Sequence, residues 1–183
     1  QGGGGRQVSG ASAVVSECGR YRYSLERTVG VGPNLGWIML NPSTADAEKD
    51  DATIRKVKGF TTRAGYGIVC VANLFAWRSR HPKDVVLNLS DAEGDRNFEA
   101  LAALAETCDV LVCAWGNEAG RNWIAEQADR VVDAITIGIG VTPCRLVCLG
   151  RNRDGSPRHP LMVPYAKRFE PYARARKAAE VKR

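Results

Sequence analysis

The feature that most constrains this chain is an apolar run that ends abruptly. Trp37-Ile38-Met39-Leu40 follows Gly36 and has the length and character of a buried strand, and it stops at Asn41-Pro42. Proline has no N–H for a sheet ladder and biases the preceding residue towards extended backbone. The strand must therefore give way to a loop that displays Asn41, Ser43, Thr44 and Asp46 together. The same arrangement recurs downstream. Ile68 to Ala72 is almost unbroken apolar sequence and delivers Asn73, Trp77 and Arg78; Asp109 to Trp115 delivers Gly116-Asn117; Cys144 to Leu149 delivers a polar loop from Gly150 to Pro160.

Helical segments separate these runs. Asp50 and Asp51 supply N-cap chemistry for a helix with Ile54 and Val57 on one side, closed by Gly65 and Gly67. Asp91 opens a second helix through Phe98, Leu101, Leu104 and Ala105, and a third carries Trp123, Ile124 and Val131. Strands alternating with helices predict an α/β fold: a three-layer α/β/α sandwich around a central four-stranded parallel sheet. Val14 to Val29 is expected to add a hairpin or edge element. Residues 1–12, rich in Gly and Ser, read as a linker before a single domain over 13–183 with a basic C-terminal tail. In a parallel sheet the carboxyl ends of the strands share one edge, where ligands bind, so the chemistry-bearing loops converge there.

Charge narrows the partners. The chain carries a net +6, with cations gathered between Arg55 and Arg63, at Arg78, Arg80 and Lys83, at Arg151, Arg153 and Arg158, and from Lys167 to Arg183. This distribution suits a polyanion such as DNA, although a solvated basic surface has the same composition. Six cysteines without a C-x-x-C spacing, and only His81 and His159 beside them, predict structural thiols with neither metal nor cofactor. No stretch reaches membrane-spanning length, so a soluble, cytoplasmic protein is expected.

The strand-end segments, in their order and spelling, resemble the uracil-DNA glycosylase superfamily. Asn41 before Pro42 matches the first-motif residue that positions the attacking water. Asn73 in Ala-Asn-Leu-Phe matches the asparagine that reads the flipped base, Trp115-Gly116 matches a Trp-Gly after the third strand, and His159-Pro160 matches a His-Pro after the last. The resemblance covers about residues 35 to 165. Within it, Leu40-Asn41-Pro42-Ser43-Thr44-Ala45-Asp46 and Pro157-Arg158-His159-Pro160-Leu161 are similar to a small bacterial and phage family described as of unknown function. The resemblance implies an anti-phage DNA glycosylase removing glucosylated hydroxymethylcytosine from double-stranded phage DNA. Two residues depart from the wider superfamily: Met39 replaces the usual Gly of the first motif, and Leu161 stands where many members have Ser.

The residue types suit that chemistry. Breaking an N-glycosidic bond builds positive charge on the sugar and negative charge on the leaving base, so the site needs a placed water and a donor. Asn41 would hold the water, Asp46 would orient it or balance the oxocarbenium, and His159 would donate to the base; a loop histidine satisfied by its own backbone is the plainer alternative. Asn73 offers the donor and acceptor of a base reader, or is a turn former. Trp77, Arg78 and Phe60 are candidates to line the base pocket, with Trp77 equally suited to the core and Phe60, at its helical spacing, better suited to it. Ser43, Thr44, Arg151, Arg153 and Arg158 would contact phosphates, with Leu161 as an apolar wedge. No lysine ends a strand, so hydrolysis without a lyase step is expected. A uracil-type repair glycosylase, a non-catalytic nucleic-acid-binding module and a hydrolase of free modified nucleotides are the rival expectations.

Overall fold

Alternation along the central strand sorts its side chains onto two cores. Leu35, Trp37 and Met39 join Ile54, Val57 and Phe60 on one side. Ile38 joins Leu101, Leu104, Ile124 and Val131 on the other. The computed structural model describes residues 10–117, 121–137 and 144–173. Its elements are β1 (Ala11–Val15), β2 (Arg22–Thr28), β3 (Asn34–Met39), α1 (Ala52–Arg63), β4 (Ile68–Asn73), α2 (Pro82–Leu87), α3 (Asn97–Thr107), β5 (Val110–Cys113), α4 (Asn122–Ile137), β6 (Arg145–Cys148), a 3-10 turn at Pro160–Met162, and β7 (Glu170–Pro171). Helix α1 covers one face of the sheet, and α3 and α4 cover the other.

The sheet is mixed and seven-stranded, in the order β1-β2-β4-β3-β5-β6-β7, which corrects the expectation of a four-stranded parallel sheet. The apolar runs read from sequence form its parallel centre, with β3 between β4 and β5, and β6 beyond β5. The expected N-terminal hairpin or edge element is both: β1 and β2 pair antiparallel, and β2 pairs antiparallel with β4, extending the sheet by two strands. Ala11 and Ser12, grouped by composition with the linker, pair with Arg27 and Glu26. At the other edge β7 is only two residues long, too short for periodicity to disclose. Residues 1–9 and the basic tail over 174–183 lie outside the described residues.

Local chemistry sets the helix ends. Asp51 caps α1, its carboxylate accepting from the Ile54 N–H at 2.8 Å, and Gly65 follows the helix at φ +83°, a conformation that favours glycine. Asp91 does not open α3. Gly94, at φ +76°, turns the chain first, and the helix starts at Asn97. No helix among the described residues is long and apolar enough to cross a membrane.

Arg27 ties the loop before α1 to the hairpin. It is 4% exposed and bonds Asp50 at 2.7 Å, the Ser12 carbonyl at 3.2 Å and the Glu26 carbonyl at 2.8 Å, and also reaches the Asp46 carbonyl. Lys58 closes on the other oxygen of Asp50 at 2.8 Å. A buried guanidinium satisfied in this way is costly to break, because removing one partner strands the other.

Gly36 lies where β3 passes the α3 side of the core, and a Cβ there would come within 2.3 Å of Leu111 Cδ2 and 3.3 Å of Cys108 Cβ. Gly36→Ala is expected to destabilise the fold by about 1–3 kcal/mol through overpacking, read as a lower denaturant midpoint at unchanged m-value.

Candidate functional site

Parallel register aligns the strand exits. Met39 lies opposite Asn73, and Ile38 lies opposite both Ala72 and Cys113. The exits then stay joined past the strands: Leu74 N–H donates to the Met39 carbonyl at 2.8 Å, Phe75 N–H to Leu40 at 3.0 Å, and Ala114 N–H to Ile38 at 2.8 Å. Gly116 N–H donates to the Pro157 carbonyl at 3.1 Å, drawing in the loop that follows β6. Along this edge lies a cavity of about 510 Å³, and Asn41, Ser43, Asn73, Trp115, His159 and Leu161 line it, as the strand-end reading anticipates.

Asn41 is fixed by its own loop. Its Nδ2 donates to the carbonyls of Pro42 at 3.1 Å, Trp77 at 3.4 Å and Ser79 at 3.0 Å. Three acceptors around one atom identify the nitrogen end of the amide and leave Oδ1 as the acceptor for a water or ligand. Asn73 is 1% exposed, and its Nδ2 has no hydrogen-bond partner among the described residues. The backbone at this exit is clamped from the opposite face: Asn97 Nδ2 donates to the carbonyls of Asn73 at 3.0 Å and Leu74 at 3.1 Å, and Gln127 Nε2 donates to Leu74 at 3.1 Å. A buried, unpaired amide N–H costs about 1–3 kcal/mol, so a rigidly held one at a cavity wall points to a ligand acceptor.

His159 caps the 3-10 turn, its Nδ1 accepting from the Leu161 N–H at a long 3.4 Å. The neutral ring therefore carries its proton on Nε2. Burial pushes its pKa below the ordinary histidine value, Asp51 pulling in the other direction, so the ring is neutral near pH 7. Gly116 makes the close approach possible: at φ +94°, a Cβ would stand 3.3 Å from His159 Cβ. Leu161 and Met162, 44% and 83% exposed, project beside the cavity.

Several expected residues lie elsewhere. Asp46 does not line the cavity. Its Oδ1 accepts from the N–H groups of Lys49 at 2.9 Å and Glu48 at 3.0 Å, and these bonds hold the carboxyl below its usual range while they shape the loop. Thr44 shares that loop but not the cavity wall. Phe60 is core, 3% exposed and tilted against Trp37 at 6.3 Å and Tyr165 at 4.9 Å. Trp77 packs edge-on against Tyr21 at 5.7 Å, and Arg78 reaches away to the Gly19 carbonyl at 3.1 Å. Arg151, Arg153 and Arg158 stay on the loop outside the cavity: Arg151 lies 5.4 Å from the Tyr172 ring centroid, and Arg158 Nε donates to the Arg151 carbonyl at 3.1 Å.

The cavity also holds groups that the sequence did not assign to the site. Arg22, Ser79, Arg80 and Arg121 line it, and the carboxylate on its wall is Asp51, the cap of α1. Arg22 is 2% exposed and donates from Nη1 to the Ala45 carbonyl at 2.7 Å, while its Nε has no partner among the described residues. Burial brings its pKa down to about 10, which leaves it charged at neutral pH. The one sequence signal for it was a charged residue on a strand with apolar and aromatic neighbours, a pattern also produced by an ordinary solvent-facing position. Among the described residues no group of three or more His, Cys, Asp or Glu is placed to hold a metal ion.

The chain matches the family model described as Protein of unknown function (DUF1643) over residues 22–161, and it belongs to that family. No curated protein and no solved structure matches it.

The buried imidazole gives the fold a pH signature. The folded-state pKa of His159 lies below that of the unfolded chain, near 6.5, so the unfolded state takes up the proton more readily. The stability that the neutral ring contributes is present above that value and is lost as pH falls through it. Between about pH 7.5 and pH 5.5, the denaturant midpoint of the wild type is expected to fall more than that of His159→Asn.

Proposed function

We propose that this protein is a monofunctional DNA glycosylase that takes a modified base out of the helix and hydrolyses its glycosidic bond, leaving an abasic site. The observation that carries the reading is the buried, unpartnered Nδ2 of Asn73 on the wall of a cavity it shares with Asn41 and His159. A flipped base brings acceptor atoms to such a donor, and its own edge then satisfies the amide. Leu161 and Met162 support the same reading, being exposed apolar side chains where a wedge is needed to fill the vacated stack.

In this mechanism the C1′–N bond breaks with its electron pair passing to the base. Asn41 Oδ1 holds a water on the far side of the sugar, and the water oxygen bonds C1′ as the oxocarbenium collapses. Asp51, the carboxylate that lines the cavity, replaces Asp46 in balancing the sugar's charge and receiving the water's proton. His159 Nε2–H donates to the departing base. A cavity of about 510 Å³ falls in the range that encloses a substituted, drug-sized ligand and exceeds the needs of a bare pyrimidine. We therefore favour a bulky modified cytosine such as glucosylated hydroxymethylcytosine, excised in defence against phage.

A second reading draws on Arg22, Arg80 and Arg121, which line one cavity and suit the phosphate of a free modified nucleotide. Met162, exposed and outside the cavity lining, separates the two. A DNA glycosylase loses about tenfold or more in duplex excision on Met162→Gly, whereas a nucleotide hydrolase is unaffected.

The test is to incubate the protein with duplexes carrying glucosylated hydroxymethylcytosine, uracil or no modification and to score abasic sites by alkaline cleavage. Breaks confined to the glucosylated duplex, reduced about 100-fold or more in Asn41→Ala, are expected. Excision of uracil instead would move the substrate to a deaminated base, and no breaks on any duplex would overturn the glycosylase reading.

A further inference from the structure

Strand β2 carries two arginines that are almost fully buried and are treated very differently. Arg27, 4% exposed, has a carboxylate partner in Asp50 and three backbone carbonyls. Arg22, 2% exposed, bonds the Ala45 carbonyl and keeps an Nε without a partner among the described residues. Among the described residues no carboxylate lies within ion-pair distance of Arg22, although Asp51 lines the same cavity. Asp51 and Asp46 favour the charge of Arg22 through space, but neither bonds it, and a buried guanidinium that keeps an unmet N–H at the wall of a cavity offers that wall's ligand a charge-assisted bond. Asn73 Nδ2 is a second buried donor without a partner on the same cavity wall. Both donors are attached to paired strands, since β2 and β4 are hydrogen-bonded neighbours and Arg22 N–H donates to the Ala76 carbonyl at 2.9 Å.

We infer that Arg22 is a further catalytic residue of this cavity, one that binds the departing base as an anion by donating from its guanidinium to a ring carbonyl oxygen. The inference rests on the glycosylase reading above and assigns the leaving-group charge to a residue that reading did not use. As the C1′–N bond breaks, the electron pair left on the ring nitrogen delocalises onto the adjacent carbonyl oxygen. Arg22 gives that oxygen a charge-assisted hydrogen bond and transfers no proton, so it is the same before and after the step. Burial strengthens the contact, because little water competes with it. His159, neutral on the same cavity wall, supplies a hydrogen bond but no fixed charge. The substrate class that follows is a base with a carbonyl next to its glycosidic nitrogen, which is a pyrimidine.

Binding of free bases tests this without relying on turnover. The probes are barbiturate, a pyrimidine that is anionic at neutral pH, and neutral uracil. Both are titrated into the full-length protein and followed by tryptophan fluorescence, for which Trp115 on the cavity wall is the reporter. The wild type is expected to bind barbiturate at least about tenfold more tightly than uracil, Arg22→Gln to lose that preference, and Arg22→Lys to keep most of it. Equal binding of the two bases by the wild type, no binding of either, or a preference that survives in Arg22→Gln would overturn the inference. Inorganic phosphate bound more tightly than barbiturate would overturn it too, in favour of a phosphate at Arg22. If Arg22→Gln does not fold, judged by circular dichroism, the wild-type preference and Arg22→Lys still decide. Failure of the parent reading is seen separately, as the absence of abasic sites on every duplex.

Discussion

The parallel pairing of β3 with β4 on one side and β5 on the other is the constraint from which the site follows. With Met39 opposite Asn73 and Ile38 opposite Cys113, the residues that follow each strand leave the sheet side by side. A register slip of one residue would exchange the two cores and turn Asn73 away from α1's side of the sheet. The site's geometry and the packing of Trp37, Ile38 and Met39 therefore depend on the same ladder. The antiparallel edges flank that ladder: β2 of the hairpin pairs with β4 over Ile68 to Val71, and the short β7 pairs with Val147 and Cys148 of β6.

Polar groups buried around this edge divide into those that build it and those that wait for something. Arg27, Asn97 and Gln127 bond backbone carbonyls, and Arg27 also bonds Asp50; together they hold the loops after β3 and β4 in place. Asn73 and Arg22 each retain a donor that none of the described residues meets. Among the described residues Asn97 Oδ1 and Arg78 Nε are also without partners, but neither residue lines the cavity. Location, more than the lack of a partner, separates a binding group from a local imperfection. Energetically the folded chain carries the cost of these groups, and a ligand with acceptor atoms would relieve it.

What could be read from the sequence follows the strength of each local signal. Asn41, Asn73 and His159 were legible because each stands where an apolar run or a polar loop meets a proline or a strand end, and the fold brings all three to one cavity. Asp46 was misassigned because an acidic residue in a loop looks the same whether it faces a substrate or accepts from the N–H groups of Glu48 and Lys49. Asp51 reads from sequence as a helix cap, which it is, and only the packing of α1 against the sheet shows that the cap also faces the cavity. Phe60 and Trp77 were ambiguous between core and pocket, and helix α1 and Tyr21 resolve them in favour of packing. Arg22 was invisible for a different reason: its burial comes from β2 pairing beside β4, a long-range contact that no local pattern encodes.

The central claim, that a base leaves the helix and enters the cavity at the ends of β3, β4 and β5, is tested most directly by a crystal structure of Asn41→Ala bound to a duplex carrying one glucosylated hydroxymethylcytosine. The account predicts the modified base in the cavity with an acceptor on Asn73 Nδ2, and Leu161 or Met162 in the space it vacated. A duplex bound with that base still stacked, or bound across another face of the protein, would contradict it.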